Sequence, residues 1–209
     1  MEGRIVILPV SEVVKIPREY CEKRFPRRLA RAERFVRKED GLRCIGAGAL
    51  IYGVLGIEEE DIIFNGSGKP YYRGDMYFNV SHSGDYVVMA ADKDEIGIDI
   101  EKEDASRICI TEKFFTKEEI DWISKYPKAR FFRAWTMKES VMKAEGKGFE
   151  MRPGLFSVIP AICGEPLDID GTLWYCDSFR IDGHRISVAA RSKNFKPRKE
   201  IVAIEDILK

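Results

Sequence analysis

Acidic and basic side chains cluster in two short stretches of the sequence, one around Asp99 and the other around Glu139. On a strand, Asp99 and Glu101 point to the same face, because successive side chains alternate between faces. On a helix, Lys138 and Glu139 share a side with several bulky apolar residues, and Lys143 lies one turn beyond Glu139. If strand and helix meet, three carboxylates and two lysines converge. Such a set can hold a hard divalent cation that carries a phosphate ester.

Each of these groups also has a simpler interpretation. An Asp-x-Glu pair on a strand is typical of the solvent face of an antiparallel sheet. Glu139, however, lies on an otherwise apolar side of its helix, where a buried carboxylate needs a partner. That partner is either Lys138 or Lys143 in a structural salt bridge, or a metal ion shared with the strand carboxylates. The pattern alone leaves these alternatives open.

A basic stretch precedes both motifs. Residues 15–43 hold eleven basic residues against five acidic ones. The basic residues are Lys15, Arg18, Lys23, Arg24, Arg27, Arg28, Arg31, Arg34, Arg37, Lys38 and Arg43. A solvated helix face explains any single arginine, but a one-sided stripe also suits a phosphate-bearing ligand or an acidic partner. Binding to nucleic acid is the rival interpretation, and no nucleic-acid-binding module supports it.

The elements that must position these residues follow from hydrophobic periodicity. Helices are expected at residues 25–36, 42–55, 116–125 and 128–145, the third opening with a capping box of Thr116 and Glu119. Strands are expected at residues 4–10, 76–81, 86–91, 95–101, 155–159, 173–177 and 185–190. Each half of the chain thus reads as helices followed by antiparallel strands, which predicts an α+β fold.

The amino-acid composition argues against several functional classes. The 209 residues are 44% hydrophobic, enough for one core or two small ones. The 35 basic and 35 acidic residues balance, which argues against a general nucleic-acid or membrane binder. Five cysteines without a Cys-x-x-Cys spacing, and two histidines, do not suggest a zinc site. With no signal peptide or membrane span in sight, we expect a soluble, cytoplasmic protein.

Five short motifs occur in a fixed order along the chain. They are Gly-Lys-Pro at 68–70, Phe-Asn-x-Ser-His-Ser at 78–83, Gly-Ile-Asp-x-Glu at 97–101, Phe-Phe-x-x-x-Glu at 114–119 and Trp-x-x-Lys-Glu-Ser-x-x-Lys at 135–143. Any one of them is weak, but the ordered set is specific. Together they resemble the phosphopantetheinyl transferases, in particular the two-halved surfactin-synthetase type. The resemblance extends from about Phe25 to Ser157.

The resemblance implies a pseudo-dimer of two similar α+β halves with antiparallel sheets and the active site in the cleft between them. Residues 1–102 would form the half on the adenine and 3′-phosphate side of coenzyme A, with Asp99 and Glu101 at its end. Residues 103–209 would carry the 135–143 helix and face the carrier protein. The implied reaction transfers the 4′-phosphopantetheine group of coenzyme A to a carrier-protein serine and releases adenosine 3′,5′-bisphosphate. The alternative is a coenzyme A- or carrier-binding protein of this fold without transfer activity.

The resemblance also assigns roles to residues. Magnesium, or alternatively manganese, would be held by Asp99, Glu101 and Glu139, with coenzyme A as co-substrate. Lys143 would add positive charge on the leaving side, while Glu139, directly or through a metal-bound water, would act as the base, with Glu119 second. Coenzyme A would be bound by Arg28, Arg31, Arg43, Lys69, Pro70, Ser81, His82 and Lys138. Arginine replaces the lysine that the family often has at the first two positions. We expect a monomer without nucleic-acid or membrane partners.

Overall fold

The computed structural model describes residues 3–193, 195 and 197–208. The chain divides into two compact units, Met1–Lys93 with Pro197–Lys209, and Asp94–Lys196. They are called the first and second unit below. The boundary expected from the sequence, between residues 102 and 103, falls inside the second unit. The division of functional roles between the two halves stays a prediction.

The helices are α1 (Val10–Val13), α2 (Arg18–Arg24), α3 (Pro26–Ala32), α4 (Lys38–Gly48), α5 (Lys117–Ser124), α6 (Pro127–Glu145), α7 (Ile159–Ile162) and α8 (Ile204–Ile207). The strands are β1 (Arg4–Pro9), β2 (Ile62–Phe64), β3 (Pro70–Tyr72), β4 (Tyr77–Ser83), β5 (Tyr86–Asp92), β6 (Ile96–Lys102), β7 (Leu167–Ile169), β8 (Thr172–Ile181), β9 (His184–Ala190) and β10 (Arg198–Ile201). A π-helical turn over Ala49–Val54 continues α4. The capping box that opens α5 is confirmed, since Thr116 and Glu119 exchange both hydrogen bonds.

The sheet of the first unit has the strand order β10-β1-β5-β4. Strand β5 runs antiparallel to β1 and β4, whereas β10 pairs with β1 in parallel. Successive residues of β1, Ile5 to Leu8, are all buried, so this strand is covered on both faces. The hairpin β2-β3 forms a separate small sheet.

The long helix expected over residues 25–36 is wrong in its second half. Helix α3 ends at Ala32, and Val36 is fully exposed instead of facing the core. Helix α4 packs against the end of α3 so closely that a Cβ on Gly41 would lie 2.9 Å from the Ala32 carbonyl oxygen. Residues 33–37 connect the two helices without helical structure, so Val36 faces solvent despite its apolar spacing.

The sheet of the second unit has the order β6-β9-β8-β7 with antiparallel pairing. Helix α6 packs on this sheet and stops at Gly146, which adopts the left-handed conformation with φ 70°. The strand expected at residues 155–159 is wrong, because Pro153–Leu155 is a 3₁₀ turn and α7 begins at Ile159. The Lys138 ammonium binds the carbonyl oxygens of Pro153 and Phe156, so they do not serve a strand ladder.

The structure confirms the predicted α+β class with antiparallel sheets, the β1–β10 pair being a parallel exception. Within the residues that the structure describes, none of the helices combines the length and apolar character needed to cross a bilayer. The cytoplasmic location and monomeric state stay predictions from the sequence.

Candidate active site

The second unit brings the strand and helix motifs into direct contact. Strand β6 approaches α6 so closely that a Cβ on Gly97 would lie 2.1 Å from the Ser140 carbonyl oxygen and 2.4 Å from the Ala144 nitrogen. Only glycine fits this approach without a backbone shift. A buried hydrogen bond of 2.7 Å between the hydroxyls of Thr136 and Ser187 also ties α6 to the sheet. The contact places the carboxylates of β6 beside the last turns of α6.

Asp99 is nearly buried, and its Oδ1 accepts a hydrogen bond of 2.6 Å from the Lys143 ammonium. Thus a strand carboxylate and a helix lysine from the two predicted motifs form an ion pair. The Lys143 side chain remains 29% exposed, so its charge can also reach a ligand at the surface.

Glu101, two residues further along β6, pairs with a residue that the sequence did not single out. Its Oε2 accepts a hydrogen bond of 2.8 Å from the Arg107 guanidinium. Arg107 ends a 3₁₀ turn, Ala105–Arg107, that follows the strand. No pattern in the sequence distinguishes Arg107 from the other charged residues of this segment.

Glu139 is the least satisfied member of the cluster. Its Oε1 is buried and has no hydrogen-bond partner. Burial raises the pKa of Glu139 from its usual 4.5 to about 7, and the negative charge of Asp99 is the next cause. Lys143 opposes this shift, whereas the Glu101 carboxylate adds to it. Because charges shift a pKa only over short distances, the carboxylates of Asp99 and Glu101 lie close enough to Glu139 to interact with it.

Two features decide whether these residues suit a metal ion: the oxygen atoms that they offer as ligands, and the ion pairs that these oxygens already form. Carboxylate oxygens are the ligands that magnesium prefers, and the orphaned Glu139 Oε1 is an oxygen in need of a positive partner. Among the described residues, no three Asp, Glu, His or Cys side chains form a ready-made metal-binding group. Asp99 and Glu101 instead hold Lys143 and Arg107. The donor chemistry therefore fits a divalent cation, provided that these ion pairs rearrange.

A cavity of about 200 Å³ in the second unit borders this cluster. It is lined by Glu101, Arg107, Cys109, Phe114, Phe131, Phe132 and Trp135. The lining is thus aromatic, with an ion pair at one side. The Trp135 expected beside the carboxylates therefore contributes a wall of this cavity.

Glu119 is the second candidate for the base, and Lys138 is expected to contact coenzyme A. The structure places both charged groups together in the interior of the second unit. Both side chains are 0% exposed and form an ion pair of 2.8 Å. Lys138 also donates to the carbonyl oxygens of Pro153, at 2.7 Å, and Phe156. Burial lowers the pKa of Lys138, an effect that the Glu119 carboxylate opposes.

The Glu119 carboxylate is fully engaged as an acceptor. Its Oε1 accepts from the Val158 backbone N–H at 2.8 Å, and its Oε2 accepts from the Thr116 backbone N–H at 2.7 Å as well as from Lys138. Such a closed network suits a structural role that joins α5, α6 and the segment after α6.

Arg28 and Arg31 lie in the first unit, on α3. They line a cavity of about 140 Å³ together with Arg27, Tyr52, Glu59, Ile62 and Phe64. The Nε of Arg28 is buried without a hydrogen-bond partner, and its guanidinium lies 5.9 Å from the centre of the Tyr52 ring. The sequence did not indicate Tyr52, Glu59 or Phe64, because they come from separate elements.

Arg43 and His82 are brought together around Asp40. The Arg43 guanidinium donates to Asp40 Oδ1 at 2.5 Å and to the Gly84 carbonyl oxygen at 2.9 Å. The hydrogen bond from Arg43 holds the pKa of Asp40 below its usual value, and His82 contributes in the same direction. His82 itself is exposed at the end of β4.

The other residues expected at coenzyme A also lie in the first unit. Ser81 is a buried residue of β4, and Pro70 opens β3. Lys69 is nearly buried, with its ammonium 5.3 Å from the centre of the Tyr71 ring. Their predicted contacts with coenzyme A stay predictions.

Comparison with known proteins agrees with the motifs. The family model of the 4′-phosphopantetheinyl transferase superfamily matches residues 95–189, which include β6 and α6. The chain is 32% identical over 199 residues to 4′-phosphopantetheinyl transferase Sfp of Bacillus subtilis, covering 88% of this chain and 89% of that protein.

Two relatives from other organisms match over shorter stretches of the chain. It is 39% identical over 125 residues to 4′-phosphopantetheinyl transferase gsp of Aneurinibacillus migulanus, covering 55% of this chain and 53% of that protein. It is 38% identical over 117 residues to the L-aminoadipate-semialdehyde dehydrogenase-phosphopantetheinyl transferase of Xenopus laevis, covering 46% of this chain and 39% of that protein.

Proposed function

The chain belongs to the 4′-phosphopantetheinyl transferase superfamily, and we propose that it transfers the 4′-phosphopantetheine group of coenzyme A to a serine hydroxyl of an acyl or peptidyl carrier protein. The product that leaves is adenosine 3′,5′-bisphosphate. The observation that carries this proposal is the convergence of Asp99, Glu101, Glu139 and Lys143 where β6 packs on α6.

In the proposed reaction the serine oxygen forms a bond to the phosphorus that bears the pantetheine arm. The bond from this phosphorus to the bridging oxygen of the diphosphate breaks, and that oxygen leaves with the adenosine bisphosphate. Glu139 accepts the serine proton. Without a cation, burial and the Asp99 carboxylate raise the pKa of Glu139 to about 7. A bound cation would lower this pKa and keep Glu139 ionised, as a base must be.

Lys143 stabilises the charge that develops on the leaving side. Before a cation binds, the Lys143 ammonium lies 2.6 Å from Asp99 Oδ1, and the Lys143 side chain is 29% exposed. Once Asp99 holds the cation, this ammonium would be released beside the site, where a positive charge stabilises the leaving oxygen as it becomes negative.

We further propose that Asp99, Glu101 and Glu139 hold a magnesium ion. When bound, such an ion neutralises the diphosphate and polarises its phosphoryl oxygens. The buried, unpartnered Oε1 of Glu139 and the shared environment of the three carboxylates support this assignment.

The adenine and 3′-phosphate end of coenzyme A is assigned to the first unit. Arg28 and Arg31 line one cavity there, and the unpaired buried Nε of Arg28 is a donor suited to a phosphate. Arg43 and His82 add charge and hydrogen-bond donors around Asp40. Lys69, Pro70 and Ser81 complete the proposed set.

The proposal is tested by intact-mass spectrometry of an apo carrier protein after incubation with this protein, coenzyme A and magnesium. The expected result is a mass gain of one phosphopantetheine group, which disappears when EDTA is present. Coenzyme A binding without a mass gain on carriers from several pathways would contradict transfer. A mass gain that persists in EDTA would contradict the metal assignment alone.

A further inference from the structure

The ion pair between Arg107 and Glu101 lies within the proposed metal site. The guanidinium Nη1 and the carboxylate Oε2 are 2.8 Å apart, and the two side chains are 51% and 19% exposed. Arg107 is thus the more exposed partner, whereas Glu101 lies on β6, an edge strand of the sheet.

The backbone keeps Arg107 close to this carboxylate. The 3₁₀ turn that ends at Arg107 begins after Asp104, whose Oδ1 accepts hydrogen bonds from the Ser106 backbone N–H at 2.9 Å and hydroxyl at 2.7 Å. This cap orders the segment directly after β6. The guanidinium therefore returns to Glu101 at a high effective concentration.

A divalent cation and a guanidinium compete for the same carboxylate oxygens. Both need the lone pairs of Glu101, and two positive charges on one carboxylate repel each other. We propose that Arg107 is the internal counter-ion of Glu101 and is displaced when the cation binds. The proposal rests on the metal site assigned under the proposed function. In the described structure Glu101 is held by Arg107, and Asp99 is held by Lys143.

The role of such a counter-ion follows from the neighbouring charges. Glu101 shares the proposed site with the carboxylates of Asp99 and Glu139, so a Glu101 without its ion pair would add to the like-charge repulsion there. Arg107 offsets that charge before the cation arrives. It thereby raises the cation concentration at which the site fills.

The test measures the binding of Mn²⁺ alone to the full chain, by the electron paramagnetic resonance signal of the free ion. Arg107→Gln removes the competing charge and should lower the Kd of Mn²⁺ about twofold to fivefold, the range that corresponds to an exposed ion pair. The gain should shrink as salt is raised.

The chain offers a closely matched control in Arg180→Gln. Arg180 pairs with Glu103 at 2.9 Å, and these side chains are 51% and 15% exposed, but Glu103 is not a proposed ligand. This variant should bind Mn²⁺ as the wild type does. Thermal unfolding of both variants checks that they are folded.

Two outcomes would overturn the inference while leaving transfer intact. One is an unchanged or weaker Mn²⁺ affinity in Arg107→Gln, and the other is an equal gain in Arg180→Gln. Absence of Mn²⁺ binding in all of the proteins would overturn both the counter-ion and the metal assignment. The carrier-labelling assay reports on transfer separately, so failure of the proposed function is distinguishable from these results.

Discussion

Lys138 and Glu139 are consecutive residues of α6, yet their charged groups meet opposite surroundings. The Lys138 ammonium is fully buried and surrounded by acceptors from Glu119, Pro153 and Phe156. The Glu139 carboxylate has a buried oxygen without a hydrogen-bond partner, and its pKa is raised to about 7. One helix therefore carries a closed polar network beside an incomplete one.

The difference gives a criterion for separating charged residues that support the fold from those that can act on a ligand, namely whether their hydrogen bonds are all made. A buried ion pair whose hydrogen bonds are all made has no remaining capacity for a ligand, and its removal leaves an uncompensated charge. A carboxylate crowded by other carboxylates is destabilised until a cation or proton arrives. We therefore propose that Lys138 with Glu119 supports stability, and that Glu139 with Asp99 supplies the chemistry.

The largest expected effect on stability is that of Lys138→Met. This change leaves the Glu119 carboxylate buried without its counter-charge, so the free energy of unfolding should fall by about 3–5 kcal/mol. The measurement is equilibrium unfolding in urea. The matched control is Lys147→Met, since Lys147 pairs with Glu145 but is 47% exposed, and it should cost less than about 1 kcal/mol.

Replacing both members of the buried pair sharpens this test. Lys138→Met combined with Glu119→Leu removes the uncompensated charge and should recover part of the lost stability. Equal losses for Lys138→Met and Lys147→Met would contradict the structural assignment.

The pH dependence of stability should reveal Glu139. Its pKa is about 7 in the folded state against 4.5 ordinarily, so the folded state binds this proton more tightly. The resulting stabilisation is fully present below pH 4.5 and is lost as the pH rises to about 7. Over that window the wild type should lose about 2–3 kcal/mol relative to Glu139→Gln. Urea unfolding in EDTA measures this difference, and a value that does not change with pH would argue against the shifted carboxylate.

The close approach of β6 and α6 gives a smaller effect on stability. In Gly97→Ala the new Cβ would meet backbone atoms of Ser140 and Ala144, so the strand must retreat, at a cost of about 1–3 kcal/mol. The same retreat separates Asp99 from Lys143 and should slow carrier labelling. Gly66→Ala is the control, because nothing lies within 4 Å of its added Cβ. Equal behaviour of the two variants in unfolding and labelling would count against this contact.

Much of the second unit could be predicted from local patterns. The capping box at Thr116, the alternation through Asp99 and the glycine stop at Gly146 each specify an element within a few residues of chain. The convergence of Asp99 with Lys143 was also a prediction, and the ion pair confirms their contact.

Other features depend on contacts between distant parts of the chain, so local sequence patterns did not predict them. The acceptors of Lys138 lie in a segment that was expected to be a strand, so its burial could not be foreseen. Arg107 joins the site through a short turn without a distinctive motif. The parallel pairing of β10 with β1 links opposite ends of the sequence. Here tertiary contacts, and not periodicity, decide the structure.

The account's central claim is that Glu139 performs chemistry whereas its neighbour Lys138 supports the fold. The most direct test is the rate of carrier labelling by Glu139→Gln, followed by intact-mass spectrometry with saturating coenzyme A and magnesium. We expect the rate to fall by about 100-fold or more relative to the wild type, because a charge needed in the transition state is removed. The amount of folded protein should not change. A rate within about threefold of the wild type would contradict the claim.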